Sequence, residues 1–136
     1  MPPIQPQSEE VVERFWRSVQ RSESLMDRLG WWPSFHDAEL LLLRMRLASS
    51  GYELEIRVRL NEGGPRDVLS LVWAEVDVFS IATYENVDTD QYWFYDSEVH
   101  LVDDRIFEMK IATERGDWLI RGTGLSVRDY EFGEEE

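Results

Sequence analysis

Apolar residues at Val12, Phe15, Trp16 and Val19 recur at i, i+3, i+4 and i+7, while Arg14, Arg17 and Arg21 line the other side. That spacing predicts an amphipathic helix with one buried stripe. Ser8 suits an N-cap, because its hydroxyl can accept from a first-turn N–H, and Glu9 and Glu10 place negative charge where the helix dipole favours it. The pattern continues or restarts through Leu25, Met26 and Leu29, with Gly30 as its terminator.

From Leu40 the period changes. Leu40–Leu47 is a dense apolar run broken by Arg44 and Arg46, and Ser49-Ser50-Gly51 signals a turn. Tyr52–Leu60 then alternates, with Leu54, Ile56, Val58 and Leu60 facing one way and Glu53, Glu55, Arg57 and Arg59 the other. A half-buried strand has this period of two, so the two runs predict a hairpin. Asn61-Glu62-Gly63-Gly64-Pro65 reads as a loop. In Val68–Tyr84, Leu69, Leu71 and Trp73 share one parity, whereas Val76 and Val78 share the other. A β-bulge near Ala74-Glu75 reconciles them, or else two short strands separated by a bend. Glu85–Asp90 is a polar loop. Gln91–Asp96, Val99–Val102, Arg105–Ala112 and Trp118–Val127 complete the strand set, and Gly122 and Gly124 mark a bulge or a close backbone approach in the last. Strands in series without helices between them predict an α+β fold: an N-terminal helix packed on a mostly antiparallel, meander-like sheet of about six strands. Residues 1–136 make a single domain. Pro2, Pro3 and Pro6 disfavour regular structure at the start, so 1–7 are expected to be flexible, as are 130–136, within an acidic tail beginning at Asp129.

Composition narrows the class. A chain of 136 residues that is 43% hydrophobic is long enough to bury a self-sufficient core. The absence of cysteine excludes disulfides and thiolate metal sites. No stretch resembles a secretory signal or approaches the roughly 20 apolar residues of a spanning helix, so a cytoplasmic protein without a membrane partner is expected.

Charge changes the picture more. The net charge of −14 is unevenly spread: residues 1–66 are close to balance, whereas 67–104 hold ten acids and neither lysine nor arginine. A field of this sign repels phosphate backbones, which argues against nucleic acid as a partner, and favours encounter with a basic protein. Solubility alone is the plainer explanation of the same acidity.

Residues 31–40, Trp-Trp-Pro-Ser-Phe-His-Asp-Ala-Glu-Leu, carry the densest chemistry. His36, Asp37 and Glu39 are of the types that ligate zinc, manganese or iron. On extended chain, however, Asp37 and Glu39 share a side that His36 does not, and the only other histidine is His100. No serine lies in a nucleophile elbow, and Gly63-Gly64 lacks the Lys-Ser/Thr of a phosphate loop. Neither a catalytic residue nor a cofactor is therefore assigned. The alternative is architectural: Pro33 sets chain direction, Trp31 or Trp32 and Phe35 pack between helix and sheet, His36 and Asp37 offer hydrogen bonds to backbone groups of the turn, and Trp32, Pro33, Phe35, His36, Asp37 and Glu39 together form a structural motif.

Trp32-Pro33-Ser34-Phe35-His36-Asp37-Ala38-Glu39-Leu40, placed after a helix and leading into a strand, resembles the motif of the immunity protein 50 family of bacterial polymorphic toxin systems. The resemblance is specific over residues 29–47 and loose beyond. It implies stoichiometric binding and neutralisation of a cognate toxin domain, without turnover. The base-free segment offers the matching surface: Glu85, Asp88, Asp90, Asp96 and Glu98 around Tyr92 and Trp93, suited to a basic partner. The competing expectations are a metal-dependent hydrolase centred on His36, Asp37 and Glu39, or an interaction domain unrelated to toxins.

Overall fold

The computed structural model describes residues 8–30, 33, 35–49, 51–61, 66–81, 93–102, 106–113 and 116–133. Two helices, α1 (Glu9–Ser18) and α2 (Glu23–Leu29), precede six strands: β1 (Ala38–Ala48), β2 (Gly51–Arg59), β3 (Val68–Ile81), β4 (Trp93–Leu101), β5 (Phe107–Thr113) and β6 (Gly116–Glu131). Among the described residues the six strands pair antiparallel, in line with strands that follow one another without helices between them. The α+β reading therefore holds, with one addition. The sheet curls into a closed barrel of order β1-β2-β3-β6-β5-β4, made of two three-strand meanders joined through β3 and β6.

The helices form where capping and stripe agree. The Ser8 hydroxyl accepts from the Val11 N–H at 3.2 Å, and Gly30 closes α2 in the left-handed region with its N–H on the Met26 carbonyl at 2.7 Å. The stripe is rotated slightly from the expected one: Val11, Phe15 and Val19 are buried, and Val12 and Trp16 pack at its border. Phe15 meets Phe107 edge-to-face, with ring centroids 5.2 Å apart, so α1 packs at the β5 end of the barrel. After α1 the chain bridges to β6: the Gln20 N–H reaches the Leu125 carbonyl and the Gln20 carbonyl receives the Val127 N–H. This contact occupies β6 beyond the last residue that β5 pairs.

The core is the barrel interior. Leu54, Ile56 and Val58 of β2, Leu69, Leu71 and Trp73 of β3, Val99 of β4, Met109 and Ile111 of β5, and Trp118 and Ile120 of β6 all point inward and are buried. Phe94 and Trp118 pack edge-to-face at 5.1 Å. Apolar inside and charged outside is the inverse of a transmembrane barrel, whose apolar band faces lipid. Among the described residues, no helix is long and apolar enough to cross a membrane.

Tight closure demands bulges, since an extra residue bends a strand and raises its twist. Against β2, β3 carries its extra residue between Trp73 and Val76, which accounts for the parity change in the sequence. Against β6, the register slips again at Asp77, and β6 itself slips at Arg128. Leu41 and Tyr95 are the extra residues of β1 and β4. Gly122 is a point of close approach: a Cβ there would collide with the Glu75 carbonyl oxygen. The strand runs straight through both glycines to Glu131, past the point where an acidic tail was expected to begin at Asp129.

Candidate functional site

The motif at residues 33–39 sits where the barrel closes. Only Ala38↔Phe94 and Glu39↔Trp93 pair β1 with β4 among the described residues. The chain reaches this seam through a tight turn in which the Ala38 N–H bonds the Phe35 carbonyl at 3.1 Å. Phe35 and Asp37 both take positive φ, +62° and +57°. Asp tolerates the left-handed region through its short polar side chain, but an aromatic residue there is uncommon and costs about 1–3 kcal/mol. Burial of the Phe35 ring, 2% exposed, offsets that cost.

His36 anchors the seam from outside. Its Nδ1 lies 2.8 Å from the backbone oxygen of Tyr95, 59 residues along the chain. A carbonyl oxygen only accepts, so Nδ1 carries the hydrogen. The Tyr95 bulge lies at this contact. Nε2 of the same ring lies 3.4 Å from Asp37 Oδ2. The Asp37 backbone oxygen accepts from Asn61 Nδ2 at 2.5 Å, tying the turn to the end of β2. Glu39 bonds Arg59, its cross-strand partner, at 2.9 Å and approaches Arg66 at 3.5 Å. The carboxylate of Glu39 is thus committed to guanidinium groups and does not join His36 and Asp37. Among the described residues, no three His, Asp or Glu side chains are arranged to hold a metal ion. Trp32 lies outside the described residues, and Pro33 is buried.

Of the proposed acidic surface, Glu85, Asp88, Asp90 and Tyr92 lie outside the described residues, and Trp93 is placed by its backbone at the start of β4. Asp96 and Glu98 are brought together. Both are exposed on the outward face of β4, because the inward positions are taken by Ser97 and Val99. Ala112 and Lys110 lie opposite them on β5, and Asp117 lies opposite Ala112 on β6. These side chains rim a shallow depression in which Lys110, 3.9 Å from Asp117, is the one base among the described residues. Tyr95, the bulge residue that precedes Asp96 in β4, is exposed and was absent from the sequence-based surface.

A second polar cluster had no sequence signature. The Asp67 side chain is buried at the start of β3, where it accepts from Arg28 Nε at 2.5 Å, from Arg28 NH2 at 3.1 Å, from the Gly133 N–H at 2.6 Å and from the Tyr130 hydroxyl. Burial pushes the Asp67 carboxyl up, but the hydrogen bonds of Arg28, Tyr130 and Gly133, with the charge of Arg28, outweigh it and hold the group below the usual carboxylate range. Burial and the neighbouring Asp67 carboxylate raise the Tyr130 phenol well above its ordinary value. Arg28 also lies 3.9 Å from the centroid of the Phe132 ring. The cluster clamps α2, the β2–β3 connection and the end of β6 together. An acid can be recognised in sequence, but its burial against a helix 39 residues away cannot.

The chain matches no family model, no curated protein and no solved structure.

Proposed function

We propose that this protein is an immunity-type inhibitor that binds a basic toxin domain through the outward face of β4 and its neighbours, without catalytic turnover. The observation that carries the reading is the division of labour along the chain. The motif resembling the immunity protein 50 family spends its functional groups on the barrel seam: Phe35 in the core, His36 on Tyr95, Glu39 on Arg59. Asp96, Glu98 and Asp117 are exposed on the outer face of the sheet, with Glu98 touching His100 and Asp117 near Lys110, and exposed Tyr95 precedes Asp96 in β4. Acidic side chains around an exposed aromatic ring suit a basic cleft, and the chain's net charge of −14 steers the encounter.

The reading predicts a basic toxin domain encoded near the gene, and calorimetric titration with that domain tests it. The expected result is a stoichiometric complex that weakens with salt and loses at least about tenfold in affinity when Asp96→Asn and Glu98→Gln are combined. An unchanged affinity in that double variant would place the binding surface elsewhere.

A further inference from the structure

Alternation along β4 sorts its side chains: Ser97, Val99 and Leu101 point inward and are buried, while Asp96, Glu98 and His100 point outward. Residues two apart on a strand share a face. Here Glu98 and His100 touch, with His100 Nε2 3.1 Å from Glu98 Oε2. A carboxylate only accepts, so Nε2 carries the hydrogen, and Nδ1 is the nitrogen left to take up a proton. Among the described residues Nδ1 has no hydrogen-bond partner.

The other charges around the ring are already paired or stand apart from it. Glu108, the cross-strand neighbour of His100 on β5, takes Arg121 of β6 at 2.6 Å. Lys110 lies opposite Glu98 on β5 and 3.9 Å from Asp117. α1 also packs against β4, but its Glu9, Glu10, Glu13, Arg14 and Arg17 are exposed and none of them pairs with His100. Asp103, Asp104 and Arg105 lie outside the described residues. Among the described residues, the depression that Glu98 rims thus sets three carboxylates, of Asp96, Glu98 and Asp117, against one lysine, a net charge of −2. One proton on His100 halves that charge and places the new cation in contact with Glu98.

We propose that the Glu98–His100 pair is a pH-sensitive control on the acidic face, by which acidification weakens the hold on a basic partner. The inference rests on the reading of this face as the toxin-binding surface. With the imidazole neutral, Glu98 is available to a partner's lysine or arginine; with it protonated, His100 competes for the same carboxylate. Imidazole is the side chain whose charge ordinarily changes between about pH 5 and 8, so the weakening falls in that window. Linkage makes the effect reciprocal: a cation bound at Glu98 disfavours the protonated ring, and its capture near the lower end of the window expels a proton.

The test uses the full chain and a rhodamine-labelled peptide of about eight lysines as the basic probe, read by anisotropy at one ionic strength. Between about pH 7.5 and about pH 5.5, the dissociation constant for wild type is expected to rise at least about threefold more than that for His100→Gln. In Glu98→Gln, which keeps the imidazole and removes its acceptor charge, that excess should shrink by about half or more. His36 is present in every variant, so its own titration cancels from the comparison. Equal pH responses of wild type and His100→Gln, or an excess that persists in full in Glu98→Gln, would overturn the inference while leaving the face intact. A different failure is a probe affinity at about pH 7.5 that the combined Asp96→Asn and Glu98→Gln changes do not alter. That result removes the face from cation binding and overturns the proposed function, and the inference with it.

Discussion

Asp67 and Arg28, 39 residues apart, meet at 2.5 Å in a pocket where the Asp67 side chain is 3% exposed. The pair fastens α2 to the barrel, and the Gly133 N–H and Tyr130 hydroxyl complete the carboxylate's shell from the last strand. Loss of the carboxylate removes the charge that faces Arg28 and the shared acceptor of the Tyr130 hydroxyl and the Gly133 N–H. Asp67→Ala is therefore expected to destabilise the fold by about 3 kcal/mol or more, read as the shift in urea-unfolding free energy.

The same pair predicts a pH dependence of definite sign. The folded-state pKa of Asp67 lies below its unfolded value, so its contribution is fully present above the unfolded carboxylate value of about 4 and is lost as pH falls through the folded one. The stability gap between wild type and Asp67→Asn should be constant near neutrality and shrink below about pH 4. Tyr130 acts at the other limit: its folded-state pKa is raised, so its contribution is lost as pH climbs above the ordinary phenol value of about 10 toward the folded one. In Tyr130→Phe, that alkaline component should vanish from the unfolding profile.

Gly122 tests the barrel junction. Its missing Cβ lets β6 pass the Glu75 carbonyl in β3. Gly122→Ala should cost on the order of 2–4 kcal/mol, because backbone faces backbone and neither strand can yield without breaking its ladder. Gly51→Ala is the control: no atom lies near its would-be Cβ, though its φ of +138° adds backbone strain. A larger loss of thermal midpoint at Gly51 than at Gly122 would contradict this view of the junction.

The sequence made the local elements legible and left the closure hidden. Alternation in Tyr52–Leu60 told which side chains enter the core, and the parity break after Trp73 located a bulge. Ser8 and Gly30 marked helix ends through capping chemistry that acts within a few residues. Pairing of β3 with β6, and of β1 with β4, depends instead on residues far apart in the chain, about which periodicity is silent. One ion pair was hidden for the same reason. Glu55 faces Arg44 across the β1–β2 hairpin, but Arg128 reaches it only because β6 lies beside β3. In Tyr92-Trp93-Phe94-Tyr95 the core residue and the surface residue were not separable by type, because all four are aromatic; the bulge at Tyr95 decides between Phe94 and Tyr95.

Within the motif, stability should divide by burial rather than by chemical richness. Phe35→Ala empties a core position and is expected to cost about 3 kcal/mol or more, with no relief of backbone strain because alanine keeps the Cβ. His36→Ala removes the contacts of an exposed side chain, among them Nδ1 to the Tyr95 oxygen and Nε2 to Asp37, and should cost about 1 kcal/mol. Differential scanning calorimetry of the two variants gives the order directly.

The most direct test sets the motif against the acidic face in one binding measurement with a basic toxin domain of the kind the proposal predicts near the gene. Affinities are compared for wild type, His36→Ala and the Asp96→Asn, Glu98→Gln double variant. The account predicts that His36→Ala binds as wild type despite a lower thermal midpoint, and that the double variant keeps its midpoint but binds at least about tenfold more weakly. Binding abolished by His36→Ala and untouched by the double variant would contradict it, and would move the functional surface to the barrel seam.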